Sequence, residues 1–141
     1  MTNPTPFDPT GDDVRAVGQA ACEWIAQHYE ALRELPVVPD TTPQQTFALF
    51  SEPLPQDGSS WPALFERFKR DIVPNSFHLP SPRYFGLMNP TPLPVAVFGE
   101  ALAAALNQNL GAWHHSPAAT AVERQVIRWL CDLAGYPKTS F

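Results

Sequence analysis

The chain has 141 residues, seventeen of them proline, and its 9 Lys+Arg against 14 Asp+Glu leave a formal charge of −5 at pH 7. This length suits one domain, and the proline content is well above the usual ~5%. The acidity excludes a protein that lives on phosphate backbones, because only Arg67, Lys69 and Arg70 lie close together and Glu66 and Asp71 flank them.

Residues 1–10 are polar and rich in Pro and Thr, with neither a positive charge nor an apolar run, and read as a loose arm rather than a signal peptide. Over residues 12–35, Val14, Val17, Ala21, Trp24, Ile25, His28 and Leu32 recur at spacings of 3, 4, 3, 1, 3 and 4, which predicts one helical stripe. Thr10 or Asp12 is placed to cap this helix, Asp12 and Asp13 suit its dipole, and Pro36 ends it. At ~1.5 Å per residue the rod is roughly 35 Å long. Thr42-Pro43 opens a short helix to about Ser51, with Phe47 and Phe50 on one side, and residues 52–58 form a linker with strong turn chemistry. Ser60 caps a third helix, on which Trp61, Leu64, Phe65, Phe68 and Ile72 share a face and which Pro74 closes.

Six prolines and no sustained period over residues 74–94 predict an extended, ordered loop. Pro94 starts a fourth helix with Val97, Phe98, Ala101, Leu102, Ala105 and Leu106 as its stripe. Ser116-Pro117 is a cap and first-turn pair for a fifth, with Ala119, Val122, Val126, Trp129, Leu130 and Leu133 facing inward. Gly135 and Pro137 stop it. No stretch alternates at period two and no repeat is present. The longest apolar run, residues 101–106, is far short of the ~20 residues of a membrane helix. The expected fold class is therefore all-α, about five helices joined by proline-rich connectors. Trp and Phe faces on so few helices make a thin core, and such faces pack on something else.

A metal site needs about three or four converging ligands. Adjacent His114 and His115 point apart, and His28 and His78 lack a partner at helical ligand spacing, so no metal is expected. Cys22 and Cys131, single and distant, fit reduced thiols in a cytoplasmic protein. A Cys22–His28 nucleophile pair competes with the plainer role of Cys22 as a small apolar residue. G-x-S-x-G, P-loop and G-x-G-x-x-G signatures do not occur.

Three segments carry the most information: P-R-Y-F-G-L-M-N-P-T-P (82–92), L-N-Q-N-L-G-A-W-H-H-S-P-A-A-T (106–120) and E-R-Q-V-I-R-W-L-C-D-L-A-G-Y-P (123–137). Much of this is explained locally, as a helix start at Ser116, a core stripe at Trp129, Leu130 and Leu133, and a stop at Gly135. Asn89, Asn107 and Asn109 need another account, since amides buried among aromatics and prolines require partners. In this order and spacing the motifs resemble the N-terminal segment of the group II pyridoxal-phosphate-dependent amino-acid decarboxylases, which include aromatic-L-amino-acid, glutamate, cysteine-sulfinate and diaminobutyrate decarboxylases. The resemblance covers nearly the whole chain and is strongest from Pro82 onward.

The resemblance implies a full-length protein of the α/β fold type I of pyridoxal-phosphate enzymes, a homodimer whose N-terminal helices wrap around the partner, and an amino-acid substrate that loses its α-carboxylate as CO₂. It implies that Leu87, Met88, Asn89 and Pro90 line one subunit's substrate pocket, while Asn109, Gly111 and Trp113 reach the other's, with simple loop packing as the alternative. Some members carry an aromatic at the position of Leu87 and a hydroxyl residue at that of Pro90, which leaves the substrate's side chain open. The family's cofactor lysine lies well beyond the equivalent of Phe141, and the chain's two lysines, Lys69 and Lys138, do not match it. The expectation is thus a flexible arm (1–10), dimer-clasping helices (11–80), and a pocket-edge loop with two helices leading into a large cofactor domain (81–141). By itself such a chain holds no catalytic residue and binds no pyridoxal phosphate. Its partners are a second copy or the rest of its own enzyme, with no nucleic acid and no membrane. A stand-alone helical dimerisation or interaction module and an unrelated all-α protein are the alternatives.

Overall fold

The computed structural model describes residues 9–137 and 139. The expected arm lies outside the described residues up to position 8, as does Lys138. One unit ends at Thr91 and a second begins at Pro92. Every regular element among the described residues is helical, as expected, and five are α-helices.

In the first unit the helix starts follow from short polar side chains. α1 (Gly11–Ala31) begins at Thr10, whose hydroxyl accepts the Asp13 N–H (3.2 Å) while the Asp13 carboxylate accepts the Thr10 N–H (2.8 Å). The Thr10 hydroxyl also donates to the Asp13 carboxylate (2.6 Å), and this bond, followed by the one from the Thr10 N–H, holds the Asp13 carboxyl below its ordinary range. α2 (Pro43–Leu49) repeats the device with Thr42 and Gln45, and α3 (Trp61–Arg67) starts on the Ser60 hydroxyl, which accepts the Ala63 N–H. Each cap satisfies N–H groups that a first helical turn leaves without partners.

The helix ends depart from expectation. The first helix stops at Ala31 rather than Leu35, because the Glu34 and Leu35 N–H groups both turn back to the Ala31 carbonyl (2.9 and 3.2 Å). α2 ends at Leu49, where the Ser51 hydroxyl takes the Phe47 carbonyl (2.7 Å). The third helix is not uniform: after α3 the backbone widens into a π turn at Phe68–Ile72 and tightens into a 3₁₀ turn at Val73–Asn75. Pro74 has no N–H, and its ring would clash with the carbonyl four residues back in a regular helix. The Val73 N–H bonds the Phe68 carbonyl instead. Arg67 ties these pieces together by donating to the Leu49 carbonyl (3.3 Å), pairing with Glu52 and lying 5.6 Å from the Phe50 ring centre. Beside it, buried Asp71 accepts two bonds from Arg70 (both 2.7 Å), which keep its carboxyl below the usual range.

In the second unit, α4 (Pro94–Leu106) opens on its proline and closes at Asn107, whose φ of 45° is left-handed. α5 (Pro117–Ala134) follows a 3₁₀ turn at Trp113–His115 and ends at Gly135, φ 73°, where glycine carries no Cβ penalty. Ser116 does not cap α5. Its ψ of 69° departs from the extended conformation that aims a capping hydroxyl at the first turn, and its Oγ is buried without a partner. Replacing Ser116 with alanine is therefore expected to raise stability by up to ~1 kcal/mol in thermal denaturation, the reverse of the loss that follows removal of a working cap.

Leu32 is the one apolar side chain buried among the described residues, alongside the polar Asp71, His78, Ser81 and Ser116. The α5 stripe expected to face inward is exposed, from Val122 and Val126 to Leu133 at 85%. Phe98, Leu102 and Leu106 of α4 are exposed as well. An amphipathic face is buried only where another surface covers it.

Candidate functional site

The residues expected at a substrate pocket fall into two groups, one in each unit. Leu87, Met88, Asn89 and Pro90 share a loop of the first unit, and that loop is fastened to the chain just beyond α1 by long-range bonds. His78 Nδ1–H donates to the Pro36 carbonyl (2.7 Å), and the His78 N–H to the Val37 carbonyl (2.9 Å). The Ser81 hydroxyl reaches the Leu32 carbonyl (3.3 Å), and the Arg83 guanidinium donates to the Leu35 carbonyl. These donors satisfy carbonyls of the chain that follows α1.

From this anchor the loop is shaped by Tyr84. Its ring stands edge-on to Phe77 with centres 5.3 Å apart, and its hydroxyl accepts the Leu87 N–H (2.9 Å). Gly86 lies over the same ring, where a Cβ would come within 2.5 Å of Tyr84 Cε2. A Cβ there would push the Tyr84 ring away from Phe77 and from the Leu87 N–H. The Asn89 N–H then turns back to the Leu87 carbonyl (2.8 Å), while Leu87 (81%) and Met88 (102%) stand open to solvent. Locally, the sequence Tyr84-Phe85-Gly86 folds so that apolar side chains at 87 and 88 project from a pinned backbone.

Asn109, Gly111 and Trp113 lie in the second unit. Asn109 Oδ1 accepts the Gly111 N–H (2.8 Å), an Asx turn, and a Cβ at Gly111 would sit 3.0 Å from that oxygen. The turn delivers the chain to Trp113, which begins the 3₁₀ turn before α5 and is two-thirds exposed. Asn89, Asn107 and Asn109 are all exposed, so their amides need no buried partners. Asn107 instead ends α4 in a left-handed conformation that asparagine tolerates, and Asn109 forms a turn.

Sequence reasoning passed over Ser81, Arg83, Tyr84 and Gly86 and weighed His78 only as a metal ligand. The Pro-Arg-Tyr-Phe-Gly run held the signal for Arg83, Tyr84 and Gly86. Among the described residues no group of three or more His, Cys, Asp or Glu is arranged to hold a metal, and both cysteines are free thiols. Lys69 pairs with Glu66 (2.5 Å) and lies 5.2 Å from the Phe65 ring centre.

Behind the anchor, His28 stacks on Trp24 (4.9 Å, 16°), and its ring centre is 5.5 Å from that of His78. Partial burial and, second, the neighbouring His78 lower the His28 pKa from its ordinary 6.5. The unfolded chain therefore binds the proton more readily than the folded one, and stability rises with pH across this window. We expect urea midpoints to fall as pH is lowered from about 6.5 through the folded His28 value, and His28→Phe to flatten that slope.

The conserved-domain model of the pyridoxal-dependent decarboxylases matches residues 43–141. Histidine decarboxylase of Drosophila melanogaster is 34% identical over 128 residues, covering 89% of this chain and 15% of the relative. Tyrosine decarboxylase of Oryza sativa subsp. japonica is 36% identical over 125 residues, covering 84% of this chain and 23% of the relative. The crystal structure of Oryza sativa TDC with PLP and tryptamine matches with a TM-score of 0.85 at 26% identity, over 97% of this chain and 28% of that one. The chain thus spans less than a third of the length of these relatives. No helix among the described residues is long and apolar enough to cross a membrane.

Proposed function

The chain belongs to the pyridoxal-dependent decarboxylase family, and we propose that it is the N-terminal part of a cytoplasmic amino-acid decarboxylase, supplying dimer-clasping helices and one edge of the substrate pocket. The loop at Leu87 to Pro90 carries this reading. Its backbone is pinned by Tyr84, Ser81 and Arg83, whereas Leu87 and Met88 are presented outward, as the wall of a pocket completed by other protein would require. Asn109, Gly111 and Trp113 form a second edge, directed to the partner subunit's pocket.

Residues 11–80 are the clasp. Trp24, Trp61, Leu64 and Phe65 border an apolar groove of about 310 Å³, a surface suited to burial in a homodimer. Pyridoxal phosphate, which supplies the electron sink when bound in the full-length enzyme, does not fit the described residues of this chain. Lys69, the one lysine among them, is engaged by the Glu66 carboxylate and the Phe65 ring. The cofactor belongs to the part of the relatives' length that this chain does not span.

The coding sequence beyond Phe141 tests the assignment. A continuing Ser/Gly phosphate loop and a downstream H-x-K support it, while a stop codon favours the stand-alone helical module. In the enzyme so extended, Met88→Glu is expected to raise KM for the amino acid about tenfold, and in the isolated chain it is expected to leave the melting temperature unchanged, since Met88 is fully exposed there.

A further inference from the structure

The second unit contains a groove of about 330 Å³, part polar and part apolar, between the Trp113 turn and α5, lined by Trp113, Thr120, Ala121, Arg124, Gln125 and Arg128. Arg124 and Arg128 are one helical turn apart, so their guanidinium groups rise from the same face of α5. The ion pairs among the described residues use Arg15, Arg67, Lys69 and Arg70, and neither groove arginine takes part, although Asp132 follows Arg128 by one turn. In a chain of net charge −5, two cations are thus left facing one cleft. Thr120, another residue of the lining, has an Oγ1 that is shut from solvent with no hydrogen-bond partner.

The composition of the groove selects a ligand class. Paired guanidinium forks match the two coplanar oxygens of a carboxylate. The exposed Trp113 indole offers a flat apolar wall on which an aromatic body can stack. Two cations are too few for a polyanionic backbone, and the volume is that of a small-molecule site. We infer that this groove binds a small aryl carboxylate. The neighbouring positive charges disfavour a ligand that also carries an ammonium group, so a zwitterionic amino acid is a poorer fit than the corresponding acid. The groove shares Trp113 with the pocket edge proposed above, whereas its arginine pair stands apart from that reading.

The test is titration of the full chain with 3-phenylpropionate, following the Trp113 indole N–H signal by NMR, assigned with Trp113→Phe. A saturable shift is expected, weakened about tenfold or more in R124Q/R128Q, and weakened as sodium chloride is added to the wild type. L-Phenylalanine and 3-phenylpropionamide are expected to bind about tenfold more weakly than the acid. Both arginines are exposed, and circular dichroism checks that the double variant keeps its helices; R128Q alone, expected to be intermediate, serves if it does not. The inference is overturned by no shift up to about 10 mM, by equal binding of the amide or of L-phenylalanine, or by an unchanged affinity in the variants. Inorganic phosphate binding as tightly as the acid would reduce the groove to a general anion site and overturn the aryl-carboxylate assignment.

Discussion

Replacing His78 with alanine is expected to cost about 3 kcal/mol, a large part of the stability of a small domain. The ring is 4% exposed, and its Nδ1–H is the partner of the Pro36 carbonyl at 2.7 Å. Removing it strands that carbonyl, a loss of about 1–3 kcal/mol, and opens a space against His28 and the Trp24 stack. His78→Asn, which keeps a short donor, is expected to recover part of the loss. Urea denaturation measures both, and an unchanged midpoint for the alanine variant would refute the contact. Hydrogen exchange supplies a second readout: with the anchor gone, the Leu87 N–H, held by the Tyr84 hydroxyl, should exchange faster. If Leu87 and Met88 edge a substrate pocket as proposed, a structural injury at His78 becomes a functional one, because the same anchor sets where both are presented.

That anchor also marks where sequence reasoning reaches its limit. Thr10, Thr42 and Ser60 were legible as caps because a cap and its N–H lie within three residues, and Pro94, Pro117 and Gly135 were legible for the same local reason. The early end of α1 was not, since a stripe whose last member is Leu32 shows neither the turn of Glu34 and Leu35 back to Ala31 nor the bonds that Ser81 and Arg83, nearly fifty residues downstream, make to the carbonyls that follow. Pro74 announced a stop but not the π turn that leads into it. Ser116 shows the converse failure: a Ser-Pro pair has cap chemistry, yet a backbone ψ of 69° withholds the geometry. For the candidate site, position along the chain was readable from the motifs, and the support was not. Gly86 and Tyr84 matter because a ring and a backbone meet within van der Waals distance, a fact of three-dimensional approach rather than of pattern.

Leu32→Ala is expected to cost about 3 kcal/mol, whereas Leu133→Ala is expected to change the stability of the isolated chain by less than ~0.5 kcal/mol. The two substitutions remove the same atoms. They differ in burial, since Leu32 is 5% exposed at the end of α1 and Leu133 is 85% exposed on the α5 stripe. Truncating a buried leucine loses the transfer free energy of its methyl groups and leaves a cavity, and truncating one already in water does neither. Chemical denaturation of the two variants separates these cases, and equal losses would mean that the α5 face is covered in the chain alone. If the apolar faces of α4 and α5 exist to meet the rest of a decarboxylase or a second subunit, the asymmetry should disappear there. Leu133→Ala would then approach the cost of Leu32→Ala in the full-length dimer, because a covering surface turns an exposed side chain into a core one. The difference between the two measurements, isolated chain against assembly, reads directly how much of this fold is completed by protein outside these residues.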